Sequence, residues 1–482
     1  QVRDIGTVTS ANNVRVISGT PTLMETIEVL PPNQYPPTFP VSGAGGDLVN
    51  PNGLSAITFT PGNETSGSVA IFGDVNATNL EARTLSDIFV NYGNTINTTS
   101  DASFSGSSIR VGDGGGLATI NSGGDINFNS TSQIRLGEVD FDATNINLNF
   151  NGTSGASNYI GYYAGSDLTA TNEINVIFNN NSTSTGNAEN YAYNYIGYYN
   201  NTSVNLNASA INIEFNNNAT TTGSGYANAS AGNLIAYQND APVNLNAGII
   251  NIEFNNSATS TTGSAGSDSS NYIGSYNDSP VNISAGTINI NFNNTQSRDS
   301  YAWQNSYNYI GDNNREAVTL DAANLNIAFN NSSESNNSYA RSYATNIIGN
   351  SHTEPVNIEV GNIDIVFSNS ATSTNNYARS WARNYIGNGN APVNIETSSI
   401  SSTFNNTANG SPFYSNYNEA DNFISLYSGQ PVNFSSTGDL NFNITATSGF
   451  VNNNIGDSSQ ANFTANGDIN FNFSGAVGSS IA

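Results

Sequence analysis

A four-residue unit, Asn-Tyr-Ile-Gly, returns through the middle of the chain at Asn158, Asn194, Asn271, Asn308 and Asn384, with looser copies beginning at Asn233, Asn346 and Asn422. Successive Asn positions are 36, 39, 38, 37, 38, 38 and 38 residues apart, so one structural unit is repeated. Each period carries two further segments. One is Pro-Val-Asn-Ile/Leu (Pro242 to Leu245, Pro280 to Ile283, Pro355 to Ile358, Pro392 to Ile395), and the other is Ile-Asn-Ile-x-Phe (Ile211 to Phe215, Ile250 to Phe254, Ile288 to Phe292). Both alternate apolar with polar residues, the pattern of a strand with one buried face. Gly, Asn, Asp and Pro punctuate them, and the 3.6-residue period of a helix is absent. The expectation is an all-β chain, a parallel β-helix (β-solenoid) with three short strands per coil.

The alternation also assigns the inside. Phe178, Phe215, Phe254, Phe292, Phe329, Phe367 and Phe404 hold one equivalent place in successive coils and should stack along the bore. Ile160, Ile196, Ile235, Ile273, Ile310, Ile348, Ile386 and Ile424 form a second ladder. Burial contributes about 1.5 to 3 kcal/mol for each such side chain, the cohesion a polar chain needs. Asn158, Asn194, Asn233 and their successors share the Ile parity and are expected inside, amide bonded to amide. Upstream, Ile109 to Ile134 is 25 residues and Ile134 to Ile160 is 26. A bare coil is therefore about 25 residues, and the longer repeats add about 12 as loops or a ribbon projecting from one edge, in stretches such as Asn180 to Tyr193 and Ala258 to Ser270. Four regions follow: residues 1–56, an N-terminal cap or assembly arm; 57–157, short coils; 158–425, the 38-residue repeats with projecting loops; and 426–482, C-terminal short coils.

Composition narrows the function. The chain has no Cys, so neither disulfides nor C-x-x-C sites exist, and its ten cationic residues are all Arg against a net charge of -26. Nucleic acid and anionic membrane are poor partners for such a surface, and no apolar run is long enough to span a bilayer as a helix. The chain begins at Gln1 without a basic and apolar leader, as a processed secreted form would. Asn-x-Ser/Thr sequons at Asn63, Asn76, Asn97, Asn129, Asn181 and Asn218 fit an extracellular or cell-surface glycoprotein.

Groups able to move protons are few. His352 is the only His and reads as a solvated turn residue in Asn350-Ser351-His352-Thr353. Solenoid lyases and glycosidases need paired carboxylates or a calcium-carboxylate cluster. Glu138, Asp140 and Asp142 alternate and offer a Ca²⁺ candidate, although a solvated polar face explains them equally. No other cofactor is implied, and the expectation is a protein that is not an enzyme. The distinctive surface feature is aromatic. Tyr159, Tyr195, Tyr272, Tyr309 and Tyr385 stand beside the inward Ile column and should form an outward stripe. A second set in the projecting segments, Tyr301, Trp303, Tyr339, Tyr343, Tyr377 and Trp381, is interleaved with Arg341, Arg379 and Arg383, a candidate assembly or adhesion surface. Each segment could also fold back over its own Tyr.

Asp47-Leu48-Val49-Asn50-Pro51-Asn52-Gly53-Leu54, followed by Val69-Ala70-Ile71-Phe72-Gly73, resembles the Asn-Pro-Asn-Gly-Ile motif of the filamentous haemagglutinin-type secretion domain of two-partner-secreted exoproteins. Gly123-Gly124-Asp125-Ile126-Asn127 and Gly467-Asp468-Ile469-Asn470 resemble that family's strand starts. The resemblance implies recognition of the Asn50, Pro51, Asn52 and Gly53 turn by an outer-membrane secretion transporter, ahead of an adhesive or filamentous β-helix. Leu54 stands where the motif has Ile, residues 20–45 lack its strand pattern, and Asn50 to Gly53 also suits an ordinary β-turn. The leading expectation is a structural subunit of an extracellular filament or surface coat, a homopolymer joined head-to-tail through solenoid ends. The alternative is an adhesin that presents its projecting aromatic loops to glycans or neighbouring cells.

Overall fold

The computed structural model describes residues 68–113, 116–153, 157–185, 189–222, 228–260, 267–298, 303–335, 341–351, 353–373, 379–390, 392–409, 418–426, 430–447, 450–457, 460–475 and 479–481. Before these it describes the strands Thr7–Ser10, Asn13–Ile17, Glu28–Leu30 and Ile57–Pro61. The described residues are strands joined by turns, with no helix among them, and the coils stack as a parallel β-solenoid.

The chain divides into two compact units. The first comprises Gln1–Gly152, Asn158–Phe178 and Gly197–Asn212; the second comprises Thr153–Ser157, Asn179–Ile196 and Ile213–Ala482. In the first, strand Ala102–Val111 lies parallel on Asp125–Leu136, pairing Phe104 with Phe128 and Ile109 with Ile134. The rings of Phe104 and Phe128 stack at 4.8 Å, and those of Phe128 and Phe141 at 5.6 Å. The first strands of the chain belong to this stack: Thr7–Ser10 pairs parallel with Ile57–Pro61, and Asn13–Ile17 with Val69–Phe72. Glu28–Leu30 then runs antiparallel along Asn13 to Arg15. Residues 20–45 thus contain a strand that the sequence pattern does not reveal, laid across the parallel edge.

In the second unit equivalent residues pair one-to-one. Val243–Ser260 lies on Val281–Arg298, then Val318–Ser335, Val356–Ser373 and Val393–Asn409. The three faces expected per coil are present, but the Pro-Val-Asn and Ile-x-Ile-x-Phe segments share one strand of 18 residues. The pairing passes over Gly248 and Gly286 between them, and a Cβ on Gly286 would lie 2.8 Å from the Gly248 carbonyl oxygen. The Ile ladder ends at a corner where Gly274 and Gly311 take a φ of +71°, a conformation glycine adopts without strain. Of the looser copies, that at Asn346 keeps Gly349 there, whereas the other two place Ala236 and Ser425 at φ 60° and 67°.

Every member of the two expected ladders is 0 or 1% exposed, from Phe178 to Phe404 and from Ile160 to Ile424. The rings of Phe215, Phe254 and Phe292 follow at 5.1 and 5.4 Å, and Phe329, Phe367 and Phe404 at 5.0 and 4.7 Å.

Beyond the Phe the strand continues. Asn256, Ala258 and Ser260 carry on the inward parity of Phe254, and Ser269 and Asn271 face them from the returning strand, all buried. The described parts of the added segments therefore form a narrow two-layered ribbon of strand rather than loop. Its interior is Asn at the neck and Ala or Ser beyond, as in the buried group of Ala344, Ala371, Ala382, Ala408, Ala420 and Ala446. Such small side chains allow the two layers to approach closely.

Buried amides fill the neck. Asn271 Nδ2 donates to Asn308 Oδ1 and, across the neck, to Asn294 Oδ1, both in the next coil and both at 2.9 Å. Asn308 Nδ2 donates to Asn346 and Asn331 at 2.9 and 3.1 Å, while its Oδ1 also accepts from Asn294. All four hydrogen-bonding sites of the Asn308 amide are filled. Replacing it leaves buried donors and acceptors without partners, a loss of about 1 to 3 kcal/mol. Asn308→Leu should therefore lower the thermal midpoint clearly, whereas Asn362→Leu, at an exposed ladder position, should lower it little; equal effects of the two in thermal melts would refute this account.

Candidate interaction surface

The returning strands of the second unit carry three outward columns. In register order the one nearest the corner contains Tyr272, Tyr309, Ile347, Tyr385 and Phe423. The sequence parity is right that these face away from the bore, but they do not form an exposed stripe. Tyr309 and Tyr385 are 9 and 6% exposed, and they form one buried cluster with Ile347 and Phe423, against which Tyr272 and Tyr307 pack. Tyr272 and Tyr309 stack at 5.1 Å. Burial raises the phenols of Tyr272 and Tyr309 well above their ordinary range, reinforced by Asp312 and neighbouring Tyr, and pushes Tyr307 up to about 12. Neutral phenols of this kind can hydrogen bond but do not serve as bases near neutral pH.

The two neighbouring columns hold the described members of the aromatic and Arg set. Tyr343 and Trp381 stack face to face at 4.5 Å with planes 4° apart. In the coils on either side, Asn305 pairs with Tyr343 and Glu419 with Trp381. Arg383 Nε lies 3.4 Å from Asp421, and an Nη lies 3.9 Å from Glu419. Burial pulls the Arg383 pKa down, but Tyr385, Asp421 and Glu419 outweigh it and the net shift is upward, so the guanidinium stays charged. Tyr301, Tyr339, Tyr377, His352 and the Asn50 to Gly53 turn lie outside the described residues, as do the side chains of Trp303, Arg341 and Arg379, whose backbones lie in strands.

Glu138 sits in the turn before strand Val139–Gly152, so it does not share the outward row of Asp140 and Asp142. Burial, then Asp167 and Asp142, raise the Asp140 carboxyl. Among the described residues no three acidic or His side chains converge as a metal site.

The first unit holds an aromatic group that the repeat analysis missed. Tyr162 and Tyr198 stack at 5.7 Å, Tyr163 and Tyr199 at 5.6 Å, and Tyr159 lies 4.6 Å from Tyr162. Arg135 sits 3.6 Å over the Tyr162 ring and pairs with Asp113 at 3.0 Å. Tyr163 and Tyr199 are 52 and 39% exposed at φ of 57° and 54°, unusual for bulky side chains. The adjacent Tyr pairs 162–163 and 198–199, directly after the repeat unit, are the available sequence signal.

Outside the barrel, amides repeat the interior arrangement. Asn255, Asn293 and Asn330 each donate to the equivalent Asn one coil back, at 2.7, 2.7 and 2.9 Å. Asn121 does so to Asn97, and Asn97 to Asn76, at 2.9 and 2.8 Å. Comparison with family models, curated proteins and solved structures finds no match to this chain.

Two acids, Asp312 buried and Asp268 half-buried, interrupt the polar columns. Asp312 accepts from Asn350 at 2.7 Å and Asn313 at 2.9 Å, and Asp268 from Asn305 at 2.8 Å. Burial nevertheless raises both carboxyls above the usual range. A carboxyl with a raised folded-state pKa stabilises most below its unfolded value and loses that contribution as pH rises through the folded one. Lowering pH from about 7 toward 4 should raise the melting temperature through these groups, and Asp312→Asn, which continues the Asn350 amide column, should flatten the dependence. Identical pH profiles for parent and variant would contradict this assignment.

Proposed function

We propose that this chain is a structural subunit of an extracellular filament or cell-surface coat, acting without catalysis. The observation that carries this reading is the use of its polar and aromatic side chains. Inside and out, Phe, Tyr and Asn engage the equivalent residue one coil away, so the side-chain chemistry serves cohesion along the stack. The adhesin alternative relies on the aromatic side chains of the projecting segments as its binding faces. Tyr343 and Trp381 each lay one face on the other, and in register the other faces look toward Asn305 and Glu419.

Ladders of this kind are extended by any coil with the same alternation. Head-to-tail joining would place the N-terminal strands of a second copy over the coil of Ala461–Ala465 and Ile469–Gly475. Glu28–Leu30, antiparallel on Asn13 to Arg15, is then the arm that must move aside. Exposed sequons at Asn129, Asn181 and Asn218 support an extracellular location, and the resemblance at Asn50 to Gly53 supports export through an outer-membrane transporter.

Negative-stain microscopy with sedimentation over a wide concentration range tests the proposal. Uniform fibres should appear as concentration rises, and at lower concentration once residues 20–45 are deleted. A monomer at every concentration, with and without the deletion, overturns it.

A further inference from the structure

We propose that the second unit carries a binding trough for an uncharged oligosaccharide on the outer face of its long strands, away from the aromatic columns. Two outward columns run side by side there. One is Asn251, Asn289, Asn326 and Asp364, and the other is Glu253, Asn291, Ala328 and Val366. Together they line a depression of about 400 Å³ that crosses four coils. Its origin is Ala328, whose methyl stands between the larger side chains of Asn291 and Val366.

The lining selects the ligand class. Asn289 Nδ2 donates to Asn251 Oδ1, and Asn326 Nδ2 to Asn289 Oδ1, both at 2.8 Å, so the amides are held in one orientation. An amide has two donors and two acceptor lone pairs, and Asn289, with one bond to each neighbour in its column, keeps one donor and one lone pair for hydroxyl groups. Glu253 and Asp364 add acceptors, and with no cationic side chain in the lining an anionic ligand is disfavoured. Ala328 and Val366 supply a small apolar surface for the C–H face of a sugar ring. Neighbouring coils lie about 4.8 Å apart, close to the advance per residue of an extended pyranose chain, so each sugar can meet one coil. A chain of about four sugars fills the four coils of the trough. This inference stands apart from the assembly proposal, since it concerns a lateral face and not the solenoid ends.

The test is electrophoresis of the full chain through gels containing soluble uncharged polysaccharides: xylan, mixed-linkage β-glucan, galactomannan and hydroxyethylcellulose. At least one should retard the chain, and competing oligosaccharides of that polymer should strengthen up to about four units and then level off. Ala328→Trp fills the trough from a half-buried outward position and should weaken binding about tenfold or more with an unchanged circular dichroism spectrum. Asn289→Ala, which breaks the amide row, should weaken it as well. Absence of retardation in all four gels overturns the proposal, as does undiminished retardation of a folded Ala328→Trp protein.

Discussion

A buried asparagine is stable only when its amide finds partners for both hydrogens and both lone pairs, and this solenoid places one at the neck of each long coil. Asn271, Asn308 and Asn346 meet that demand through the same residue in the coils above and below and through Asn256, Asn294, Asn331 and Asn369 across the neck. The register of the stack is thereby fixed. A slip of one residue would set these amides against Ile and Tyr and strand a row of polar groups in an apolar environment. The Phe and Ile ladders supply most of the cohesion, but apolar ladders alone tolerate sliding better than amides do.

The same pairing governs what the surface can offer. Because equivalent residues stand above one another, a side chain's closest neighbour is its own counterpart, and the chemistry of the outside is that of columns. A Tyr column turns into a stack of neutral phenols, and an Asn column becomes a hydrogen-bonded row. The columns are not uniform along the stack. Ala328 interrupts one by size, and Asp312 another by charge.

Much of this was legible in the sequence. Period-two alternation within a 38-residue repeat was sufficient to place Phe254, Ile273 and Asn271 inside, because parity fixes which face of a strand a residue occupies. The ribbon was less legible, since its Asn, Ser, Thr and Gly content resembles loop composition. Its interior parity was present in Phe254, Asn256, Ala258 and Ser260, but small side chains contribute little to a hydrophobic pattern. The burial of Tyr309 and Tyr385 was not legible at all. Parity states that a side chain leaves the bore, whereas its burial depends on the neighbouring columns it packs against. The trough was hidden for a related reason: an Ala in an outward position marks a depression only when the residues stacked on either side of it are known.

The neck and the ribbon also bear on how a gene of this kind can change. Spacings of 37 and 38 residues coexist with one-to-one pairing of the ladder positions, so small length differences are absorbed elsewhere in the coil. Loss or duplication of an entire repeat brings equivalent ladder positions together again and leaves every column continuous. Recombination between repeats can therefore lengthen or shorten the protein in whole coils while preserving its interior.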